Sequence, residues 1–471
     1  MTEYAHLYID GAWVPASGDF LDVIEPATEQ VAATIRLGDE GDVDRAVAAA
    51  RAALPAWSAT PLSRRVEYLL ALAAGMRAAR DELADLIATE MGAPIGLGRA
   101  VHVGLPASVL ESHADVAREL ELERRVGTSI VTKEPRGVVA AITPWNYPLH
   151  QIVAKLAPAL AAGCTVVLKP SVEAPLSTYR FFRLLEEIGL PRGVVNLVTG
   201  RGREVGEALV RHPGVDMVSF TGSTEAGRRI GTIAADLVRP VTLELGGKSA
   251  NVILDDADLP AAIQAGVANA FLNAGQTCSA WTRMIVPASR RDEAVDLVRA
   301  EVAALAVGDP KDRSTRIGPL VSEAQRASVR RYIDGAIADG HTLVAGGSTA
   351  PDDMPRGWYV RPTVFADVDR ASALAQEEVF GPVLAMISAR DEDEAVAIAN
   401  DSAFGLAGAV WSADEDRAHR VAARMQTGQI DVNGARFNPL APFGGYKQSG
   451  IGREFGTYGV EEYLQVKSVQ L

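Results

Sequence analysis

The spacing of apolar residues changes along the chain, and this change separates a helical region from two regions of alternating strands and helices. Residues 39–120 are rich in Ala, Leu and Arg. Within them, Leu69, Leu72, Ala73 and Met76 recur at the spacing of a helix, which predicts one buried face. The sequence therefore predicts amphipathic helices in this part of the chain.

Beyond residue 136, short apolar runs alternate with helical patterns. The predicted strands lie at residues 137–142, 165–168, 194–198, 217–220 and 240–243. The predicted helices lie at residues 148–162, 177–188, 203–211 and 223–235. Strands that alternate with helices predict a parallel sheet covered on both faces, and such sheets often bind nucleotides at the carboxyl ends of their strands.

A second alternation of strands and helices runs from about residue 250 to residue 435. Its predicted strands lie at residues 251–254, 283–286, 383–388, 409–411 and 430–432. The final segment, residues 460–471, alternates weakly between apolar and polar positions, which predicts an edge strand that pairs with another segment. The whole pattern predicts the α/β fold class.

Composition and charge narrow the class of protein. The chain has 471 residues, 48% hydrophobic and 23% charged, which is typical of a soluble globular protein with two to four domains. Its net charge of -14 argues against nucleic acid as a partner and gives no support for an anionic membrane surface.

Cysteine usage and the N-terminus bear on the location of the protein. Only two cysteines occur, which excludes a disulfide scaffold and a Cys-rich zinc site and is typical of a reducing compartment. Residues 1–10 lack the features of a signal peptide, and no apolar run reaches the roughly 18 residues of a membrane span. We expect a cytoplasmic protein with no metal site and no membrane partner.

The two cysteines differ in their surroundings. Cys278 follows a Gly-Gln pair at the end of a helical stretch, and a thiol at the edge of a loop can be exposed and activated as a nucleophile. The alternative is a small buried hydrophobic residue. Cys164 lies at the entry to a predicted buried strand, so we expect it in the core.

Two polar residues at strand ends are candidates for catalysis. Glu244 follows a predicted strand and is either a general base or the ion-pair partner of Lys248, and the spacing favours neither. Asn146 follows the strand that ends at residue 142. It either donates an amide N–H to a developing oxyanion or is simply a turn residue.

Two further motifs suggest a nucleotide. The segment from Gly222 to Gly227 follows a strand and opens a helix, where backbone N–H groups can hold a phosphate. It lacks the dinucleotide fingerprint because Thr224 occupies the middle glycine position, and alone it is a weak signal. Lys169 ends another strand and is either a ribose contact or a surface cation.

Together and in this order, these motifs resemble the aldehyde dehydrogenase superfamily. The resemblance extends from residues 8–13 to residues 442–450 and so covers nearly the whole chain. Its most specific element is an LELGGK block followed 34 residues later, counted from Glu244 to Cys278, by the cysteine of GQTC. Six ordered motifs make chance agreement negligible.

The resemblance implies an NAD(P)-dependent oxidation of an aldehyde to a carboxylic acid. Cys278 is the implied nucleophile, Glu244 the base that activates the deacylating water, and Asn146 an oxyanion donor together with the backbone N–H of Cys278. The implied cofactor contacts are Trp145, Lys169, Ser171, Gly222, Ser223, Leu245, Glu378 and Phe380. The implied contacts of the aldehyde are Tyr147 and Phe443.

The resemblance also implies a division of the chain into a Rossmann-like nucleotide-binding domain, an α/β catalytic domain and a small β oligomerisation segment. The nucleotide-binding domain is expected at residues 1–118 and 138–246 and the catalytic domain at residues 247–440. Residues 119–137 and 441–471 would bridge subunits, with the tail pairing with another copy, so a homodimer or homotetramer is expected.

Three positions depart from the family pattern. NAD-preferring members commonly have Lys-Pro-x-Glu, whereas this chain has Val172 at the Glu position and an acid one residue later, at Glu173. A slip of one residue on an extended segment turns the side chain away, so NADP is a possible cofactor beside NAD. Trp281 follows the cysteine, and Arg436 near the substrate entrance either favours a polar or acidic aldehyde or faces solvent.

Other functions compete with this interpretation. An acylating enzyme of the same fold passes the acyl group to coenzyme A, but such members generally lack the glutamate of the LELGGK block. A cysteine hydrolase requires a histidine near the thiol, and the seven histidines lie in no such motif. A non-catalytic protein of this fold would be expected to lose Cys278 or Glu244.

Overall fold

The computed structural model describes residues 2–471, and its N-terminal part consists of short strands. These strands are β1 (Thr2–Tyr4), β2 (His6–Ile9), β3 (Ala12–Pro15), β4 (Phe20–Glu25) and β5 (Gln30–Arg36). Strands β1, β5 and β4 form a small sheet, and β2 pairs antiparallel with β3 at the edge of a larger one. These strands are not among the predicted elements, because they are short and many of their side chains are exposed.

The predicted helical region forms a block of helices. Its helices are α1 (Glu40–Ser58), α2 (Leu62–Ala78), α3 (Arg80–Met91), α4 (Ile95–Leu97) and α5 (Leu105–Arg118), with a π-helix (Gly98–Gly104) between the last two. Helix α1 begins at a capping box in which Asp39 and Asp42 each accept the other's backbone N–H. The predicted apolar face of α2, which includes Leu69 and Met76, is buried, so this prediction is confirmed.

The first strand and helix alternation follows. Its strands are β6 (Glu123–Val126), β7 (Ser129–Pro135), β8 (Val138–Ile142), β9 (Thr165–Lys169), β10 (Val195–Leu197), β11 (Met217–Thr221) and β12 (Val241–Glu244). Its helices are α6 (Pro148–Ala162), α7 (Leu176–Glu187), α8 (Glu207–Arg211) and α9 (Thr224–Asp236), with a π-helix (Gly202–Gly206) before α8. Strands β12, β11, β8, β9 and β10 pair in parallel, as the sequence predicts. All residues of β8, β9 and β11 are buried, because helices cover both faces of the sheet.

The second alternation builds another sheet. Its strands are β13 (Ala250–Ile253), β14 (Arg283–Pro287), β15 (Thr342–Ala345), β16 (Thr363–Ala366), β17 (Val383–Ala389), β18 (Phe404–Gly405), β19 (Gly408–Trp411) and β20 (Asp431–Val432). Its helices are α10 (Leu259–Ala270), α11 (Arg291–Ala303), α12 (Glu323–Ala338), α13 (Ala373–Gln376), α14 (Glu392–Asn400) and α15 (Glu415–Ala422), with 3-10 turns at Leu272–Gly275 and Ala288–Arg290. The sheet order is β15-β16-β17-β14-β13-β19-β20, and only β15 runs antiparallel among the described strands. The five predicted strands are present, and the α/β class is confirmed.

The C-terminal segment pairs with strands of both alternating regions. Its elements are β21 (Tyr446–Lys447), β22 (Gly450–Ile451), α16 (Gly456–Glu462) and β23 (Leu464–Gln470). Strand β22 joins the first sheet beside β12, and β21 pairs with β18. Strand β23 pairs antiparallel with β7 over seven residue pairs. The tail is thus an edge strand, as predicted.

The partner of this edge strand differs from the expectation. The resemblance implies that the tail pairs with another subunit, but β23 pairs with a strand of its own chain. Helix α16 carries the tail back to residues 129–135, and the ion pair between Lys133 and Glu461, with 2.6 Å between Nζ and Oε1, joins the two segments. No helix within residues 2–471 is long and apolar enough to cross a lipid bilayer.

Candidate active site

Two cavities meet at Cys278. One has a volume of about 520 Å³ and opens at the carboxyl ends of the parallel strands in the first sheet. The other has a volume of about 330 Å³ and lies between the helical block and the second sheet. Cys278 lines both cavities, so a group in either one can reach its thiol.

The loop that carries Cys278 is held by buried amide groups. Asn273 and Ala274 both adopt the left-handed backbone conformation, with φ of 56°. Residues other than glycine seldom adopt this conformation. Asn273 Nδ2 donates to the Asn146 carbonyl at 2.8 Å, and Gln276 Nε2 donates to the Asn273 carbonyl at 3.1 Å. These contacts, which the sequence analysis did not identify, fix the loop in a strained conformation beside the thiol.

The Cys278 thiol is half-buried and surrounded by acidic groups. Burial raises the pKa of this thiol well above its ordinary value, and the negative charges of Glu378 and Glu244 raise it further. The buried-core interpretation does not fit a residue that lines two cavities. Cys164, by contrast, is fully buried, and its Sγ donates to the Tyr463 carbonyl at 3.4 Å, so its prediction as a core residue is confirmed.

Asn146 is buried in the loop between β8 and α6 and lines the larger cavity beside Cys278. Its Nδ2 donates to the carbonyl of Gln276 at 3.0 Å. An amide nitrogen carries two N–H groups, so one is available for another acceptor. Gln276 is itself fixed, because its Oε1 accepts the backbone N–H of Val321 at 3.0 Å.

Glu244 ends strand β12 and is buried. Its Oε2 has no hydrogen-bond partner, and no ion pair joins it to Lys248 within residues 2–471, although Lys248 is also buried. Burial raises the pKa of Glu244 well above its ordinary value, and the charge of Glu454 adds to this, whereas Lys155 lowers it. The ion-pair alternative is therefore not observed.

The carboxyl group of Glu244 lines neither cavity. It lies against Gly444, where an added Cβ would approach its Oε1 to 2.6 Å. A glycine at this position is therefore needed for the carboxyl group to occupy its place. To act at Cys278, the carboxyl group must rotate toward the thiol or act through a water molecule.

A buried ion pair that the sequence analysis did not identify stands next to Glu244. Lys155 Nζ lies 2.7 Å from Glu454 Oε1 and 2.6 Å from Thr221 Oγ1. Glu454 lines the smaller cavity. The two partners are 299 residues apart, so no spacing in the sequence signals the contact.

Glu378 and Phe380 line the larger cavity close to Cys278. Glu378 Oε1 accepts the backbone N–H of Gly247 at 3.1 Å, and burial raises the pKa of Glu378 to about 7. The ring of Phe380 packs edge-to-face on Trp145, with 5.4 Å between ring centroids. Phe380 has a φ of 55°, another left-handed residue at this site.

Lys169 lines the larger cavity from the end of β9. It is buried, and its Nζ donates to the carbonyls of Pro170 at 2.7 Å and Gly200 at 2.9 Å, so it is not a surface cation. Burial lowers the pKa of Lys169 to about 8. Ser171 and Val172 also line the cavity.

Glu173, the acid that follows Val172, does not line the cavity and is exposed. Its backbone N–H donates to Ser171 Oγ at 3.3 Å, within a turn. The structure thus places an apolar side chain, and not the acid, at the cavity wall.

The turn before α9 and the residue that follows β12 contribute three more of the predicted residues to the larger cavity wall. Gly222, Ser223 and Leu245 all line it. Ser223 Oγ caps α9 by accepting the N–H of Ala226 at 3.2 Å, so the first turn of this helix faces the cavity. A helix N-terminus attracts anionic groups because its first N–H groups lack partners within the helix.

The smaller cavity is lined largely by aromatic rings. Tyr147, Trp281, Phe437, Phe443 and Phe455 all contribute to it. The hydroxyl group of Tyr147 lies 2.7 Å from Thr277 Oγ1. Behind Tyr147, the buried ring of His102 stacks at 4.7 Å between ring centroids, from the π-helix that precedes α5. Arg436 is exposed and does not line the cavity, which fits the solvent-facing alternative.

The chain is similar to known proteins over nearly its whole length. The sequence pattern of the aldehyde dehydrogenase family matches residues 13–469. A 3-succinoylsemialdehyde-pyridine dehydrogenase of a Pseudomonas species is 48% identical over 100% of this chain and 99% of its own length. The geranial dehydrogenase of Castellaniella defragrans is 45% identical over 100% of this chain and 99% of its own length.

Solved structures are similar over their whole length. Aldehyde dehydrogenase C of Pseudomonas syringae, crystallised as a mutant with NAD+ and octanal, has a TM-score of 0.98 and 46% identity, covering 99% of this chain and 96% of its own. An aldehyde dehydrogenase of Mycobacterium tuberculosis, crystallised with NAD+, has a TM-score of 0.97 and 45% identity, covering 100% of this chain and 98% of its own.

Proposed function

Because the chain belongs to the aldehyde dehydrogenase family, we propose that it oxidises an aldehyde to a carboxylic acid with NAD+ through a thioester on Cys278. The observation that carries this proposal is the position of Cys278 at the junction of the two cavities. A thiol between a cofactor and a substrate can attack the aldehyde carbonyl on one side and present the adduct to the cofactor on the other.

The larger cavity fits a dinucleotide. It combines the N-terminus of α9, which suits the pyrophosphate, with the buried ammonium group of Lys169, which suits ribose hydroxyls. The rings of Trp145 and Phe380 and the carboxyl group of Glu378 lie at the end nearest Cys278, which suits the nicotinamide and its ribose. Two related structures were crystallised with NAD+.

Glycine at position 246 leaves room for the carboxyl group of Glu378. A Cβ added there would approach Glu378 Oε2 to 2.2 Å, so any larger residue would push this carboxyl group away. Gly222 similarly leaves no space for a Cβ, which would lie 2.5 Å from the ring of Phe220. Leu245 and Ser171 complete the wall between these positions.

The residues around Cys278 would act at different steps of the reaction. The thiolate attacks the aldehyde carbon, and the carbonyl oxygen takes up negative charge, which Asn146 Nδ2 and the backbone N–H of Cys278 would stabilise. The bound nicotinamide supplies the acceptor for the hydride that leaves this carbon, so the acyl group remains on the cysteine as a thioester. Glu244 then takes a proton from water as the water attacks the thioester, the C–S bond breaks to release the acid and regenerate the thiolate, and Glu244 returns its proton to solvent.

The smaller cavity would hold the aldehyde. Tyr147 and Phe443 line it, and Tyr147 is fixed by the contact of its hydroxyl group with Thr277. The related structure from Pseudomonas syringae was crystallised with octanal. An aromatic lining of this kind provides a passage from solvent to the thiol that excludes bulk water from the reacting carbon.

We also propose the division of the chain and its assembly. Residues 1–118 and 138–246 would form the nucleotide-binding domain, residues 247–440 the catalytic domain, and residues 119–137 and 441–471 the oligomerisation segments. The outer edge of β23 has no paired strand within residues 2–471, and the side chains of Val466 and Val469 on this strand are exposed. An unpaired edge with exposed apolar residues supports a homodimer or homotetramer, and the scarcity of cysteines supports a cytoplasmic location.

The experiment that tests this function uses the purified full chain with a panel of aldehydes and NAD+, without coenzyme A. We expect one NADH and one carboxylic acid for each aldehyde consumed, measured by absorbance and mass spectrometry, and no NADH from Cys278→Ala. NADH formation only with coenzyme A would favour the acylating alternative. Hydrolysis of esters without NAD+ use would favour a cysteine hydrolase.

A further inference from the structure

Asp431 places a carboxylate in the wall of the smaller cavity. It begins β20, at the edge of the second sheet, where it pairs with Ala409. Gln429, two residues earlier, lines the same cavity, as expected for side chains that point to one face of an extended segment. Neither residue has a role in the chemistry described above.

The Asp431 carboxylate lacks a positively charged partner. Its Oδ1 accepts Gln429 Nε2 at 3.0 Å, but Oδ2 has no hydrogen bond and the residue forms no ion pair within the described part of the chain. Partial burial raises the pKa of Asp431, because it disfavours the ionised carboxylate. A partly buried carboxylate without a counter-charge is unfavourable, and a cationic ligand would remove that cost.

The remainder of the cavity offers no cation. No lysine or arginine of residues 2–471 lines it, and Glu454 at its wall is already paired with Lys155. Burial lowers the pKa of His150 to about 4, so this histidine is neutral near pH 7. The lining of the smaller cavity therefore carries a net negative charge.

Two further polar residues line the cavity. His150 Nδ1 and Gln151 Oε1 are buried without a hydrogen bond, and both residues line the cavity. Around them stand the rings of Tyr147, Phe437 and Trp281, whose faces attract cations. The cavity thus combines negative charge, polar side chains and aromatic rings.

We propose that Asp431 binds a protonated amino group at the end of the substrate opposite the aldehyde, so that the enzyme prefers aldehydes that carry an ammonium group. This inference rests on the proposed aldehyde oxidation and names its substrate class. The ammonium group would donate to Asp431 Oδ2 and reach the cavity through its aromatic lining. A preference for aldehydes with an ammonium group replaces the alternative of an acidic aldehyde, which was based on Arg436, because the charge that lines the cavity is negative.

The experiment compares unbranched aldehydes that differ only in their terminal group. One set consists of hexanal, 6-hydroxyhexanal, 6-aminohexanal and 6-oxohexanoate, and a shorter set is built on 3-aminopropanal. In the native enzyme we expect kcat/KM for the amino aldehyde to exceed that for the methyl-terminated aldehyde by roughly 10- to 100-fold, the usual effect of a hydrogen bond to a charged group. The carboxylate-terminated aldehyde should be the poorest substrate.

Variants separate the role of Asp431 from a general effect of charge. Asp431→Asn should abolish the preference for the amino aldehyde and change kcat/KM for hexanal less than threefold, which also shows that the variant folds. Asp416→Asn removes an exposed carboxylate that lines neither cavity, and should leave the preference unchanged. Asp431→Lys should shift the preference toward 6-oxohexanoate.

Each outcome bears on one proposal. If hexanal is oxidised but the amino aldehydes of both sets are no better, the inference about Asp431 is wrong while aldehyde oxidation stands. The same holds if Asp431→Asn retains the preference. If no aldehyde of either set reduces NAD+, the proposed function itself fails.

Discussion

Lys155 Nζ lies 2.7 Å from Glu454 Oε1, and both charges act on the carboxyl group of Glu244. Glu454 raises the pKa of Glu244, whereas Lys155 lowers it, and burial contributes the largest increase. The ion pair therefore limits how far the pKa of the proposed base rises. A base is most useful when its pKa lies near the working pH, so with Glu244 as the proposed base this pair would adjust the deacylation step without contacting the Cys278 thiol.

Replacement of Lys155 by methionine tests this relationship. With the positive charge removed, the pKa of Glu244 should rise further, so steady-state turnover should begin to fall at a higher pH as the solution is acidified. Glu454 would also lose its partner in the interior, which should lower the free energy of unfolding by roughly 3–5 kcal/mol. The measurements are the pH profile of kcat and urea denaturation.

The control for this variant is Lys133→Met, which removes an ion pair with Glu461 near the surface. Such a pair contributes about 0–1 kcal/mol, and it lies away from Glu244. An unchanged pH profile in Lys155→Met would show that the ion pair does not act on the base. Equal stability losses in the two variants would show that burial adds nothing to the pair.

The step at which Glu244 acts is tested by Glu244→Gln. Glutamine cannot accept the proton of the attacking water, so each active site should form one NADH rapidly and then stall as a thioester. We expect the burst in a stopped-flow trace, with steady-state kcat lowered by roughly 10²–10⁴. Glu225→Gln removes an exposed carboxylate from α9 and should behave as the native enzyme.

The pH dependence of the native enzyme gives a second check on Glu244. Its pKa is raised, so the ionised base is present above that pKa and is lost as the pH falls through it. Steady-state turnover of the native enzyme should therefore decline on acidification as Glu244 becomes protonated. The burst in Glu244→Gln should not depend on this ionisation, because the variant lacks the carboxyl group. Rapid turnover by the glutamine variant would assign the base to another residue.

The reactivity of Cys278 should depend on Glu378. Burial, followed by the charge of Glu378, raises the pKa of the thiol, so Glu378→Gln should lower that pKa. If the pKa falls by one, the thiolate fraction rises about tenfold, and the lower nucleophilicity of the weaker base leaves a net gain of about threefold. The measurement is the rate of Cys278 alkylation by iodoacetamide at pH 8 in the enzyme without cofactor.

The same experiment has a matched control and a pH signature. Glu377→Gln removes the neighbouring carboxylate, which is exposed and accepts the hydroxyl group of Tyr332, and should change the rate little. The pKa of Glu378 is about 7, so its own charge is lost as the pH falls below that value. The difference between the native enzyme and Glu378→Gln should thus shrink at pH 6. A constant difference would mean that the variant alters the loop and not the charge.

Much of the fold could be predicted from the sequence because buried parallel strands are continuous apolar runs. Strands β8, β9 and β11 are buried over their whole length, and each was found within one residue of its bounds. The pattern does not identify β15, an edge strand with two exposed residues at its start, because such a strand lacks a continuous apolar run. It does not identify β16 either, which is buried but only four residues long, TVFA, and begins with a polar residue.

The candidate site could be predicted only where the chemistry is local. Cys278, Glu244 and Asn146 stand at strand or helix ends, which the sequence pattern marks. The contacts that hold them are distant in sequence, such as Asn273 with Asn146, and no spacing encodes them. Arg436 shows the limit of charge alone, since the sequence leaves open whether it contacts the substrate or faces solvent, and its exposed position fits the second alternative.

The choice between NAD+ and NADP+ is expected to depend on Val172, which lines the larger cavity close to Lys169. A glutamate there would accept from the ribose 2′-hydroxyl group and repel a 2′-phosphate, and Val172 does neither. Glu173 is exposed and outside the cavity, so it does not replace that acid. We therefore expect the native enzyme to use NAD+ with measurable NADP+ activity.

Val172→Glu should raise the preference for NAD+ mainly by suppressing NADP+. A charge-assisted hydrogen bond to the ribose contributes roughly 1.5–3 kcal/mol, and repulsion of the 2′-phosphate acts in the same direction. The measurement is kcat/KM for both cofactors in the native enzyme, in Val172→Glu and in Val172→Gln, which matches the size of glutamate without its charge. Because a neutral amide does not repel phosphate, Val172→Gln should retain NADP+ activity while Val172→Glu loses it. Rejection of NADP+ by the native enzyme by more than about a thousandfold, roughly 4 kcal/mol, would mean that another acid near Lys169 already fills the role, since an apolar side chain cannot exclude a phosphate by charge.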